Sequence, residues 1–219
     1  MDARTIEART HGRYLVRKPR VSGPWPLLVG FHGYRENAVI HLAALNQIPG
    51  TDGWLLIAVQ GLHRFYTKGG DVVASWMTKE DRELAIADNI RYASDVVAAV
   101  RAEFPVNDLL VFVGYSQGTA MAFRAAGHIA ANALIVGGAD VPPDVATGTP
   151  IRLPPVLYGR GRDDEIYSAD FHAKDVATLT RLGVTVDSVS FEGGHEWTPD
   201  FLKTAGRTLA RVAQKPDTR

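Results

Sequence analysis

Short continuous apolar runs, separated by longer polar or amphipathic stretches, set the strongest limit on what this chain can fold into. "PLLVGF" (26–31), "WLLIAVQ" (54–60), "LLVFV" (109–113), "ALIVGG" (133–138) and "PVLYGR" (155–160) lack the strict alternation of a half-solvated strand. They read as strands buried on both faces. "VTVDSVSF" (184–191) is rich in β-branched residues, and its alternation breaks at Asp187-Ser188, which predicts a bulge or an edge position.

The intervening stretches read as helices. A short one is expected over 38–47. Ile86, Ile90, Ala93, Val97, Val100 and Phe104 then form one apolar stripe, with Thr78 and Asp81 as a capping signal and Pro105 as the stop. Further helices are expected from Gln117, over 168–182, and from Thr198-Pro199-Asp200, where Leu202, Ala205, Leu209 and Val212 share a face. Residues 61–77 read as a polar loop. "TIEART" and "RYLVRK" flank His11-Gly12 and predict an antiparallel hairpin over 1–18. The expected architecture is a single α/β domain over 1–219, ending in a polar tail (214–219). Its central sheet is mostly parallel, with helices on both faces and functional loops at the strands' C-terminal ends.

Composition removes several function classes. Lys plus Arg equals Asp plus Glu at 24 each among 219 residues, so no bulk charge favours nucleic acid or an anionic membrane. The absence of cysteine rules out disulfides, thiolate metal sites and thiol nucleophiles. No apolar run is long enough for a membrane span, and "MDARTIEART" lacks a signal peptide's apolar core, so a cytoplasmic protein is expected.

The run at 109–113 continues into "GYSQG", Gly114 to Gly118, and then into helix-compatible residues. G-x-S-x-G between strand and helix places Ser116 on a sharp turn with its hydroxyl exposed at the top of the sheet. A serine hydroxyl needs a base, and the base needs an orienting acid. His195, in "FEGGHEWTP", lies on a glycine-rich loop between the last strand and the last helix and is the expected base. His172 falls within a predicted helix and reads as a solvated-face residue. Asp164 is the first candidate acid, followed by Asp163 in the same loop and then Asp140. "GFHGYREN" follows the first parallel strand, where Gly33 would leave the Tyr34 N–H free to face the site. The Gln117 N–H is the second expected oxyanion donor. His32 reads as a structural hydrogen bonder rather than a metal ligand, and no cofactor or metal is expected.

The segments "HGYRENA", "ASWMTKED", "GYSQGTAMA", "GRDDEIYS" and "GGHEWTP" occur in an order that resembles the α/β-hydrolase superfamily. Within it, the Trp of "SWM" points to the phospholipase/carboxylesterase family that includes acyl-protein thioesterases. The likeness spans about residues 25–213. It implies nucleophile Ser116, acid Asp164, which falls three residues after Gly161, base His195, and oxyanion N–H groups of Tyr34 and Gln117. Arg35 stands where the family often has glycine, and Tyr167-Ser168 where valine and proline are more usual.

Many relatives insert a helical cap after the strand at 133–137, but here only about seventeen residues precede the next strand. An uncapped site for short soluble esters is therefore expected. Trp76, Phe65 and Tyr66 are candidates for the acyl pocket, with core packing as the alternative for each. The expected activity is a serine carboxylesterase with a small-molecule ester as its partner, acting as a monomer or homodimer. Thioesterase, lysophospholipase, peptidase or lactonase chemistry on the same fold, and a catalytically inactive binding protein, are the alternatives.

Overall fold

Alternation along the strands decides which helix covers which face. In the computed structural model, which describes residues 2–147 and 152–214, seven strands form one sheet. They are β1 (Arg13–Arg17), β2 (Trp25–Phe31), β3 (Leu55–Gln60), β6 (Val106–Tyr115), β7 (Ala133–Gly137), β8 (Val156–Gly161) and β9 (Val186–Phe191). Their order is β1-β3-β2-β6-β7-β8-β9, parallel throughout except for the β1–β3 pair. Leu27, Val29, Phe31, Leu110 and Phe112 point to one face, where they meet α2 (Arg82–Glu103) and α3 (Gln117–His128). Leu28, Val111, Val113 and Ile135 point to the other face, where α1 (Ala38–Asn46) and α6 (Pro199–Ala213) pack. The continuous apolar runs thus face two helical layers, as parallel strands require.

α5 (Ala169–Arg181) joins the first layer through Leu179. Between β7 and β8 the described residues include one short helix, α4 (Pro143–Thr147). Asp144 of α4 forms a bidentate pair with the buried Arg124 of α3, at 2.7 and 2.9 Å.

Several expectations need correction. The N-terminal hairpin does not form: β1 pairs with β3, from Arg13 opposite Gln60 to Arg17 opposite Leu56, and residues 2–12 carry no strand. "TIEART" could bury only Ile6 and Ala8, too little to hold an isolated ribbon, whereas β3 offers β1 a complete row of backbone partners. The preceding segment lies along α2 instead, with Glu7 paired to Arg91 and Gly12 against the Tyr92 ring. The loop at 61–77 contains an antiparallel ribbon, β4 (His63–Tyr66) with β5 (Val72–Ser75). Thr78 does not cap α2. That helix starts after Asp81, whose φ is 48° and whose side chain makes no capping bond. β6 begins at Val106, three residues before the apolar run, with a register shift against β2. The break at Asp187-Ser188 marks an edge strand, and the β8–β9 register is continuous.

Two buried histidines tie stability to pH. His41 of α1 is fully buried against Gly30 and the edge of Trp197, and neither ring nitrogen has a hydrogen-bond partner among the described residues. Burial, with His32 nearby, lowers its pKa to about 3, and burial lowers that of His32 to about 4. Both groups bind a proton more readily when unfolded. Their stabilisation is complete above about pH 6.5 and is lost as pH falls toward the folded values, at about 1.4 kcal/mol per pH unit for each. His41→Leu should therefore flatten the slope of unfolding free energy between about pH 6 and 4 by about 1.4 kcal/mol per unit. Denaturant titrations across that range check it.

Candidate active site

Ser116 sits where β6 ends and α3 begins, with φ 53° and ψ −128°, in a region that non-glycine residues rarely visit. Its neighbours explain why the turn is possible. A Cβ on Gly118 would lie 1.9 Å from the Phe31 carbonyl oxygen, and one on Gly114 would lie 2.2 Å from the Gly118 carbonyl oxygen. Only glycine lets α3 approach the ends of β2 and β6 this closely. Backbone bonds from Ser116 N to Gly137 O and from Thr119 N to Ser116 O, both 2.9 Å, hold the turn.

The serine Oγ lies 2.8 Å from His195 Nε2, and His195 Nδ1 lies 2.9 Å from Asp164 Oδ2. A carboxylate only accepts, so Nδ1 carries the proton and Nε2 is left to accept from the serine hydroxyl. Asp164 is buried, and its Oδ1 accepts from the Ile166 and Tyr167 N–H groups at 2.9 Å each. Asp163 is exposed, its N–H given to Gly193 O, and Asp140 is also exposed. Of the three candidate acids, Asp164 alone bonds the imidazole. The loop of His195 comes close because a Cβ on Gly161 would meet the Gly194 carbonyl oxygen at 2.1 Å. Tyr115 packs beside the imidazole, with centroids 5.4 Å apart.

On the opposite side, the Gly33 N–H donates to Glu36 Oε2 at 2.8 Å, which leaves Tyr34 as the next N–H along the loop. The loop is fixed to β5 by Arg35 N to Ala74 O (3.1 Å) and Ala74 N to Glu36 O (2.8 Å). Arg35 has φ 62°, a left-handed conformation that accounts for glycine being common at such a position. Gln117 is the first residue of α3, where a backbone N–H has no intrahelical acceptor. His32 Nε2 accepts from the Gly61 N–H at 2.9 Å, so its Nδ1–H donates to Gly33 O at 2.7 Å. Both nitrogens are committed in the neutral ring.

The aromatic candidates separate. A cavity of about 660 Å³ beside Gln117 is lined by Tyr34, Phe65 and Met77, among others. Phe65 is on its wall, stacked with Tyr34 at 5.8 Å. Tyr66 is not: successive residues of β4 face opposite ways, and Tyr66 is 76% exposed to solvent. Trp76 is not on the wall either. It is fully buried behind the site, donating Nε1–H to His32 O at 2.8 Å and packing edge-on against Phe31. The SWM tryptophan is a core residue that supports the loop of Tyr34.

Other supports were not read from the sequence. The Gln117 side chain accepts from Trp76 N at 2.9 Å and donates to Ser75 Oγ at 3.1 Å, joining the elbow to the end of β5. Arg160 donates to Tyr167 O (2.9 Å) and Arg162 O (3.0 Å), bracing both ends of the Asp164 loop. The Tyr167 hydroxyl donates to Asp175 Oδ2 at 2.8 Å and lies 2.8 Å from the Tyr158 hydroxyl. His172 does not face solvent: it is buried between Tyr158 and Tyr167, at centroid distances of 5.1 and 5.8 Å. That arrangement places it with the tyrosines of the α5 face rather than with Ser116.

No family model matches the chain, and no curated protein matches it in sequence. Solved structures do match. The chain is similar to the carboxylesterase of Bacillus cereus, with 18% identity and a TM-score of 0.69, over 92% of this chain and 94% of that one. It is similar to acyl-protein thioesterase 2 of Zea mays, with 16% identity and a TM-score of 0.69, over 92% and 99%. It is also similar to a phospholipase/carboxylesterase of Dyadobacter fermentans, with 18% identity and a TM-score of 0.68, over 91% and 97%. Strand order, elbow position and these superpositions agree: the chain has the α/β-hydrolase fold.

Proposed function

We propose that this protein is a serine carboxylesterase that hydrolyses short-chain carboxylic esters through an acyl-enzyme. The observation that carries the reading is the continuous bonded line from Ser116 Oγ through His195 to the buried Asp164, set on a strained elbow. The similarity to a carboxylesterase and an acyl-protein thioesterase supports it, as does the resemblance of the motifs to the phospholipase/carboxylesterase family.

The geometry supports a route through an acyl-enzyme. His195 Nε2 removes the hydroxyl proton as Ser116 Oγ attacks the ester carbonyl carbon. Asp164, held by two N–H donors and away from water, orients the ring and stabilises the imidazolium. The carbonyl oxygen, now an oxyanion, is stabilised by the N–H groups of Tyr34 and Gln117. His195 returns its proton to the leaving alcohol. A water molecule, deprotonated by the same nitrogen, then attacks the acyl-enzyme and releases the acid. The neighbouring cavity, with Phe65, Met77 and Ala120 on its wall, suits a small apolar portion of the substrate. Among the described residues no helix is long and apolar enough to cross a membrane.

A fluorophosphonate probe should label the wild-type protein and fail to label Ser116→Ala. Absence of labelling on correctly folded wild type would overturn the reading. On a short-chain nitrophenyl ester, Ser116→Ala should lower kcat by about a millionfold, roughly 8 kcal/mol. Asp164→Asn should lower it by about ten-thousandfold, since the amide favours the wrong imidazole tautomer. Gly118→Ala should abolish labelling and lower Tm, because its Cβ meets the rigid Phe31 backbone rather than a side chain that can move.

A further inference from the structure

The cavity beside the nucleophile carries a charge bias that ester hydrolysis alone does not require. Phe65, Met77, Ala120 and the Tyr34 ring give it an apolar wall, while Lys79 and Arg82 contribute cationic groups. Among the described residues no carboxylate lines it. Lys79 and Arg82 belong to none of the ion pairs among the described residues. The acids of the same segment, Glu80, Asp81 and Glu83, lie off the cavity wall. Arg82 acts on Asp144 at a distance, but both oxygens of that carboxylate are held by Arg124. Glu36, on the loop of Tyr34, is occupied by the Gly33 N–H.

Two cations on the wall of a cavity that adjoins both expected oxyanion donors, with no carboxylate among the described residues lining it, attract anions there and orient them. A neutral acyl chain would gain nothing from them. We propose that the cavity selects esters bearing a carboxylate on the portion that enters it, with the apolar wall holding the intervening methylenes and Lys79 and Arg82 holding the charge. This inference rests on the ester-hydrolase reading for its reaction, while the binding preference can be measured separately.

The carboxylate could belong to the acid or to the alcohol part of the ester, and two pairs of probes distinguish them. Monomethyl glutarate against methyl pentanoate places the charge on the acid side, and butyryloxyacetate against propyl butyrate places it on the alcohol side. One anionic probe should exceed its neutral counterpart in kcat/KM by about tenfold, the combined scale of two exposed charge pairs. The preference should shrink as salt is added, because both cations are exposed. In the double variant Lys79→Glu/Arg82→Glu the ratio should invert. Calorimetry with Ser116→Ala protein should show the preferred anionic ester binding more tightly than its neutral counterpart, and the triple variant carrying both charge reversals should lose that difference.

Ratios at or below one for both pairs, or a preference that survives charge reversal, overturn the inference while leaving the esterase reading intact. If no ester is turned over, the esterase reading fails by itself. Anionic esters that bind the Ser116→Ala protein no more tightly than their neutral counterparts then overturn the inference as well, whereas a charge-dependent difference sustains it.

Discussion

Where α3 crosses the end of β2, the space between Gly118 and the Phe31 carbonyl oxygen admits a hydrogen and nothing larger. Most of the site depends on that contact. It lets the helix start directly above the sheet, which forces Ser116 into its positive-φ turn and places the Gln117 N–H on the same side as the hydroxyl. It also brings the loop after β2 to the elbow, so that a Cβ on Gly33 would come within 3.5 Å of the Ser116 Cβ. A bulkier residue at 118 would lift the helix and separate Ser116 from the loop of Tyr34. Strain at the serine persists because the surrounding packing leaves no relaxed alternative.

The features most legible in the sequence are those set by a few adjacent residues. Gly114 and Gly118 frame Ser116 within one pentapeptide, and the two-sided burial of the strands is visible in their unbroken apolar runs. Gly193 and Gly194 likewise mark the loop that carries His195 over the elbow. Asp164 ranks ahead of Asp163 in the sequence, with the spacing from Gly161 that the family resemblance implies as the reason, but what separates them in the fold is burial and two backbone donors. Neither quantity has a local signature.

What was misread depends on distant partners. Residues 5–10 and 13–18 both look like strands, but β3 lies forty residues further on and binds only the second. The β4–β5 ribbon leaves little signal because its two strands are four residues each. Trp76 reads equally well as pocket or core; its indole bond to His32 O decides for core, and that bond joins residues 44 positions apart. Helix periodicity puts His172 on a solvated face because it does not reveal that two tyrosines, from β8 and the loop that follows it, close over it.

The loop of Asp164 departs from the pattern of the family its motifs resemble, and it is held by other means. Proline at such a position stiffens a loop by fixing φ and removing an N–H. Tyr167-Ser168 has neither property. Here the Tyr167 N–H is itself a donor to Asp164 Oδ1, its carbonyl accepts from Arg160, and its hydroxyl is anchored on Asp175 of α5. The Ser168 side chain accepts from Phe171 N and starts that same helix. Burial raises the Asp175 carboxyl above the usual range even though a tyrosine donates to it, so the anchor is bought at an electrostatic cost. The loop is made rigid here through hydrogen bonds, and the carboxylate keeps two donors on one oxygen and the imidazole on the other.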